Sequence, residues 1–283
     1  MTISHISDTA RWVAHYRAME TARPDAIFRD PFAAKLAGER GEQIMNSMRG
    51  GKQAAWAMIV RTKAFDEMIL EVIRAHGVDM VVNLAAGLDA RPWRLELPAT
   101  LRWVDVDFPD ILAYKAGIIG DAAPRCRYEQ QPTDLTDDAA RTALFTRLGA
   151  ESKRALVVTE GLIIYLTAEH VAALARGLHD TPSFGWWITD LANPRLLTYM
   201  NRSWQKGVST GGAKFQFAPA EGTDWFLPHG WREREFRSSG EEARRFDREM
   251  RWAWFWRVVG RLWPKRVQEE FRRLAGYVLF ERT

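Results

Sequence analysis

The sequence predicts a doubly wound α/β fold with a mainly parallel sheet of the nucleotide-binding kind. Three observations predict it. A short Val-rich run over 79–84 stops at a tight turn centred on Gly87; a continuous apolar run bounded by turn residues suits a strand buried on both faces. A second apolar run over 101–106 stops at Asp107, roughly 20 residues past the glycine, where such folds place the carboxylate that takes the ribose hydroxyls. Apolar runs and helical patterns alternate along the chain, as parallel strands joined by crossover helices require.

Taken in order, Ser7 or Asp8 caps a helix running to about residue 22, with Trp12, Tyr16 and Met19 on one face. Asp30 and Pro31 suit the start of another short helix. Residues 38–51 are polar with three glycines and read as a mobile connection. A long helix follows over 53–75, with an apolar stripe through Ala57, Val60, Ala64, Met68 and Val72, and it stops at Gly77. Arg61 lies one position past that stripe, where a solvated arginine is the plain expectation.

After the first strand and its turn comes a helical piece at 90–95, then the second strand, then a helix over 109–120. The third strand is expected over 125–131 and a helix over 137–148. The run 155–159 is unbroken and apolar, suited to the sheet centre, and it ends in Glu160. A carboxylate at that edge of a central parallel strand lies in the ligand crevice by topology. Thr167 caps a helix over 168–178, a fifth strand spans 183–189, and a helix follows over 194–204. A glycine-rich break covers 207–212. Further strands are expected over 233–237 and 277–281, separated by a mostly helical stretch, 241–274, broken near Pro264. Arginines and tryptophans alternate over 244–261; helix and core packing is the first reading of them, an aromatic acceptor pocket the second.

Composition excludes several classes. A chain of 283 residues, 47% hydrophobic, can bury one large core, and we expect one domain over 1–283, divided as 1–52, 53–200 and 201–283. The net charge of +4 is spread along the chain, without the clustered basic face of a nucleic-acid binder. Cys126 is the lone cysteine, so no disulfide framework exists and a reducing compartment is expected. No run has the form of a signal peptide or a bilayer span, so a soluble, cytoplasmic protein without membrane or nucleic-acid partners is expected. The six histidines show no ligand spacing, and no metal site is expected.

The turn at 85–89 narrows the choice of nucleotide. A diphosphate cradle is usually G-x-G-x-x-G, and here one glycine stands among alanines, with Asp89 two residues on. A carboxylate there repels a diphosphate. A phosphate-free, cationic adenosine compound tolerates it, and S-adenosylmethionine is one.

The run Val82-Asn83-Leu84-Ala85-Ala86-Gly87-Leu88-Asp89-Ala90-Arg91 resembles the signature of the leucine carboxyl methyltransferase family, above all its bacterial branch. That branch reads N-L-G-A-G-L-D-T-R here; this chain has Ala85 for the first glycine and Ala90 for the threonine. Arg61-Thr62, Asp105-Val106-Asp107-Phe108-Pro109, Asp134-Leu135, and Glu160-Gly161-Leu162-Ile163-Ile164-Tyr165-Leu166 also match in order, as do Asp8 to Trp12 and Arg29 to Ala33. The resemblance is weakest over 201–276.

The resemblance implies a class I methyltransferase sheet with N-terminal lid helices, an antiparallel strand near its end, and S-adenosyl-L-methionine as cofactor. By the same resemblance Arg61 binds the methionine carboxylate, and Ala85 and Gly87 form the turn beneath the cofactor. Asp107, with Phe108 beside it, meets the ribose; Asp134 and Leu135 meet the adenine; Glu160 faces the ammonium or sulfonium. Tyr16, with Arg11 or His15, is implied as a lid residue facing substrate, and Tyr165 stands where the acceptor could sit. The expected reaction is O-methylation of a carboxylate or phenol on a small molecule such as a polyketide-type metabolite. A carboxylate needs no base; a phenol would call on His15 or Tyr165. Methylation of a protein C-terminal carboxylate, a non-catalytic S-adenosylmethionine binder and a nicotinamide oxidoreductase remain as alternatives.

Overall fold

The computed structural model describes residues 6–48, 50–208, 215–250, 253–260 and 263–283. Its first three helices are α1 (Ile6–Thr21), α2 (Ala33–Ser47) and α3 (Gly51–His76). Helix α3 ends where the sequence says it must, at Gly77 with φ +61°, a left-handed conformation that lacks a steric penalty only for glycine. The expected mobile connection over 38–51 is instead mostly helical. Helix α2 runs through it, bent at Gly38 (φ +55°), because Ile44 and Met45 bury themselves against α1 and α3. Apolar spacing within this polar stretch outweighs its glycines.

The αβ alternation follows: β1 (Met80–Leu84), α4 (Arg91–Arg94), β2 (Arg102–Asp107), α5 (Pro109–Ile119), β3 (Arg127–Pro132), α6 (Asp138–Glu151), β4 (Ala155–Thr159), α7 (Ala168–His179), β5 (Phe184–Ala192) and α8 (Pro194–Val208). Caps set two of the helix starts. Asp137 accepts from the N–H groups of Ala139 and Ala140, and Thr167 accepts from that of His170. The remainder is β6 (Trp231–Ser238), α9 (Ser239–Arg245), α10 (Ala253–Gly260), α11 (Lys265–Arg272) and β7 (Ala275–Arg282). The glycine-rich break expected over 207–212 falls mostly outside the described residues, and α8 is helical through Val208.

Among the described residues the strands form one sheet in the order β3-β2-β1-β4-β5-β7-β6. Neighbours from β3 to β5 are parallel, while β7 runs antiparallel to both β5 and β6. Strands β1 and β4 are buried at every position, as strands covered on both faces should be. One face carries α6, α7 and a cluster of aromatics that includes Trp187, Phe226, Trp231 and Phe280. The other packs on α3, with Phe65, Met68, Ile69 and Trp103 in its core. The late tryptophans thus serve packing first, as their fully buried members Trp187 and Trp231 show. Phe246 is also buried, whereas Phe255 is 46% exposed; the side chains at 252, 254 and 256 lie outside those described.

The sheet order reverses at β1 and β4. The carboxyl ends of these strands, which carry the turn at 85–89 and Glu160, therefore open into the crevice that such a reversal creates.

Candidate active site

A cavity of about 1850 Å³ lies over those strand ends. It exceeds the usual range for a single small ligand, about 300–1,000 Å³, and has room for two reactants. Its walls take in Arg61, Ala85, Gly87, Asp107, Phe108, Asp134, Leu135, Glu160 and Tyr165. The fold brings these distant residues together in one cavity.

The turn after β1 is built on two left-handed residues, Ala85 (φ +51°) and Gly87 (φ +53°). Glycine accepts this conformation freely and alanine does not. The Gly87 N–H donates to Asp107 Oδ2 at 2.7 Å, and the Phe108 N–H donates to Asp107 Oδ1 at 2.7 Å. Asp107 is buried to 6% exposure, and burial raises its pKa while the two N–H bonds pull the other way. A diphosphate seated here would need the Gly87 N–H, and that donor is already committed to a carboxylate. The turn is therefore a poor diphosphate cradle.

Asp89 departs from its expected role as a charge repelling phosphate. It turns inward, accepting from the Arg91 N–H at 2.8 Å, from Arg91 Nη1 at 2.7 Å and from Asn83 Nδ2 at 3.1 Å. Burial opposes its charge, but the Arg91 guanidinium overrides that and holds the carboxyl well below its usual range. Its charge is matched within the protein, so the diphosphate is disfavoured by Asp107 rather than by Asp89.

Arg91 is the hub of a buried ionic chain. Its Nε meets Asp66 at 2.7 Å and its Nη2 meets Glu160 Oε2 at 2.8 Å. Arg94 bonds the same Asp66 at 2.6 Å. Glu160 Oε1 meets Arg61 Nε at 3.0 Å, and Arg61 Nη1 reaches Asp190, among the last residues of β5, at 3.2 Å. Asp190 also accepts from the Gly161 N–H at 2.6 Å. This chain holds four carboxylates against three guanidiniums, and Asp107 adds a fifth acid nearby. Glu160 thus reaches the cavity with both oxygens engaged by arginines; burial resists its charge, and Arg91 and Arg61 keep its pKa low.

Behind the turn, Asn83 also donates to Asp105, which is fully buried and paired with Lys115 and with the Tyr128 hydroxyl. At the far end, Asp134 Oδ1 accepts from the N–H and hydroxyl of Thr136, and Asp134 is exposed at the cavity wall. Leu135 is half-buried against the core beside it. These two lie past β3, two strands from β1, on the side expected for an adenine.

Part of the cavity wall is apolar, with Trp12, Trp56, Met58, Met200 and Phe215. Tyr165 stands there, its ring 5.3 Å from that of Phe215. Tyr16 does not. It is fully buried, donates its hydroxyl to the Gly51 carbonyl at 2.5 Å, and packs edge-on to Trp12, so it props the N-terminal helices and does not face the cavity. Its helix does reach the cavity, through Thr9, Ala10, Trp12, Val13 and Arg17.

Sequence reasoning missed Asn83, Arg91, Asp190 and Tyr277, which lines the cavity from β7, as members of the site. Asp190 carried a usable signal, an acid ending a strand as Glu160 does. No group of three or more histidine, cysteine or acidic residues able to hold a metal occurs among the described residues. No helix among them is long and apolar enough to cross a membrane.

The profile of the leucine carboxyl methyltransferase family matches residues 10–179. A protein of Parafrankia sp. (strain EAN1pec), whose name assigns it S-adenosyl-L-methionine-dependent methyltransferase activity by inference, is 33% identical over 262 residues, covering 83% of this chain and 79% of that protein. A Frankia alni protein named in the same way is 36% identical over 177 residues, covering 59% of this chain and 61% of its own. In three dimensions, a DUF574 family protein from Streptomyces avermitilis aligns over 95% of this chain and 97% of its own, with a TM-score of 0.61 at 12% identity.

Proposed function

The chain belongs to the leucine carboxyl methyltransferase family, and from that premise we propose that it is an S-adenosyl-L-methionine-dependent O-methyltransferase acting on a carboxylate or phenol of a small apolar molecule, of the kind made in secondary metabolism. The observation that carries this reading is the committed Gly87 N–H. A turn that gives its donor to Asp107 favours an adenosine ligand with a ribose and no phosphate.

The residues present fit that cofactor. Asp107 keeps acceptor capacity for ribose hydroxyls; Asp134 and Leu135 would hold the adenine, and Arg61 and Glu160 the amino-acid tail. S-adenosylmethionine, when bound, supplies a methyl already activated by its sulfonium. The chain's own work is to align the acceptor oxygen with that methyl and to exclude water, worth about 7–11 kcal/mol when well done.

Neither expected candidate base, Tyr165 or His15, serves the acceptor end. Burial pushes the Tyr165 hydroxyl up to about 12, which makes it a poor proton acceptor at neutral pH. His15, whose pKa burial lowers, is not among the cavity residues. An acceptor that arrives already ionised, a carboxylate, suits these walls better than a phenol. A reducing, cytoplasmic setting agrees with the single thiol of Cys126, buried and pushed up to about 11.

Titration calorimetry with S-adenosylhomocysteine and with NAD tests the cofactor. We expect the first to bind and the second not; binding of NAD alone overturns the reading. Transfer of labelled methyl to a panel of apolar acids and phenols tests the reaction, since a methyl ester releases methanol in mild alkali and a phenol ether does not. Turnover only on a peptide carboxylate would make the acceptor a protein C-terminus, and tight cofactor binding without turnover would make the chain a non-catalytic binder.

A further inference from the structure

Tyr277 is contributed by β7, well outside the stretch matched by the family profile, which ends at residue 179. It is 4% exposed and lines the cavity. In the antiparallel register it stands opposite Asp190, the acid that binds Arg61. Phe65 packs edge-on to its ring at 5.8 Å, which fixes the ring without engaging the hydroxyl. Neither the Tyr277 hydroxyl nor that of Tyr165 makes a hydrogen bond among the described residues, and neither is sealed from solvent. Both lie in the field of Arg61 and Asp190, and burial raises both pKa values, so each stays a proton donor at neutral pH. Arg61 beside them is already paired with Glu160 and Asp190, so what this wall offers an acceptor oxygen is the two neutral hydroxyl donors themselves.

The position along the sheet says which reactant they serve. Asp107 ends β2 and Glu160 follows β4, two strand steps away, roughly 10 Å at about 4.8 Å per step. Tyr277 lies two steps further on, roughly 19 Å from the ribose carboxylate. On the proposed function, adenine, ribose and the amino-acid tail would take the part of the crevice from β3 to β4. The stretch near β5 and β7 is left to the acceptor, and there the walls include Met250, Phe271 and Leu274.

We propose that Tyr277 is a specificity-determining residue on the acceptor side: its hydroxyl, together with that of Tyr165, donates to the carboxylate of an apolar acid and so selects acids over neutral molecules of the same shape. This rests on the proposed function. The probes are octanoate and 1-octanol, titrated calorimetrically into protein saturated with S-adenosylhomocysteine. The wild type is expected to bind octanoate at least about tenfold tighter than the alcohol, as hydrogen bonds to a charged group allow. Tyr277→Phe and Tyr165→Phe, which keep the rings, are each expected to cut that preference about fivefold or more, with S-adenosylhomocysteine affinity unchanged. Equal weakening of acid and alcohol would reduce Tyr277 to packing. Loss of S-adenosylhomocysteine affinity in Tyr277→Phe would move it to the cofactor, and no preference in the wild type would leave the two hydroxyls without this role; each overturns the proposal. Failure of the wild type to bind S-adenosylhomocysteine is read in a separate titration and overturns the function itself.

Discussion

Arg61, in the middle of α3, and Glu160, at the end of β4, meet at 3.0 Å across 99 residues of sequence. The bond pins a helix outside the family's strand–turn–strand signature to the centre of the sheet. Gly161, next to Glu160, makes the approach possible: with φ +67°, a Cβ there would lie 3.0 Å from Arg61 Nη1. Arg61 is therefore held in place before any ligand arrives, and the cavity it borders is largely preformed.

Asp107→Ala is expected to weaken S-adenosylhomocysteine binding at least about tenfold, or 1.4 kcal/mol, with the fold retained in circular dichroism. Calorimetry checks it; wild-type affinity would place the ribose elsewhere.

Arg91→Met removes the cation shared by Asp66, Asp89 and Glu160 and leaves three carboxylates short of a partner. Breaking a buried pair in this way costs about 3–5 kcal/mol. A urea titration should show the midpoint fall accordingly.

Ala85→Gly goes the other way. Alanine at φ +51° carries a left-handed strain that glycine lacks, and relief is expected to raise stability by about 1 kcal/mol, net of glycine's extra chain entropy. The thermal midpoint reports it directly.

The carboxyls of Asp89 and Glu160 are depressed in the folded state from ordinary values of 3.8 and 4.5. Their contribution is present above those values and is lost as pH falls through the folded ones. Asp107, raised by burial, acts oppositely: it favours folding less as pH climbs above 3.8. With two depressed acids against one raised, urea midpoints should hold near neutrality and fall on acidification below about pH 4.5. Glu160→Gln should flatten that fall.

The sequence made the frame of this molecule legible because its signals are local. The stop at Gly77, the caps Asp137 and Thr167, and the apolar run 155–159 each depend on a few neighbouring residues. Asp107 was legible for the same reason, as an acid closing a strand. What failed was long-range. Asp89 looked like a charge facing a ligand because nothing local shows that Arg91 will fold back on it while also reaching Asp66 and Glu160. Tyr16 shares one helix face with Trp12, and only the carbonyl of Gly51, 35 residues away, decides that this face is inside. The glycines of 38–51 read as punctuation, whereas Gly41 is a contact surface: a Cβ there would lie 2.6 Å from the Arg11 carbonyl oxygen.

The place of β7 between β5 and β6 has a consequence for biosynthesis. At roughly 5–20 residues per second, a ribosome has emitted Arg61, Asp107 and Glu160 many seconds before Tyr277. From the time each is made until β7 emerges, β6 has no neighbour to pair with and β5 presents a bare edge, the template on which foreign strands add. Nascent chains of this enzyme should therefore depend on chaperones most heavily just before residues 275–282 emerge, and chains cut short of them should be recovered as aggregates.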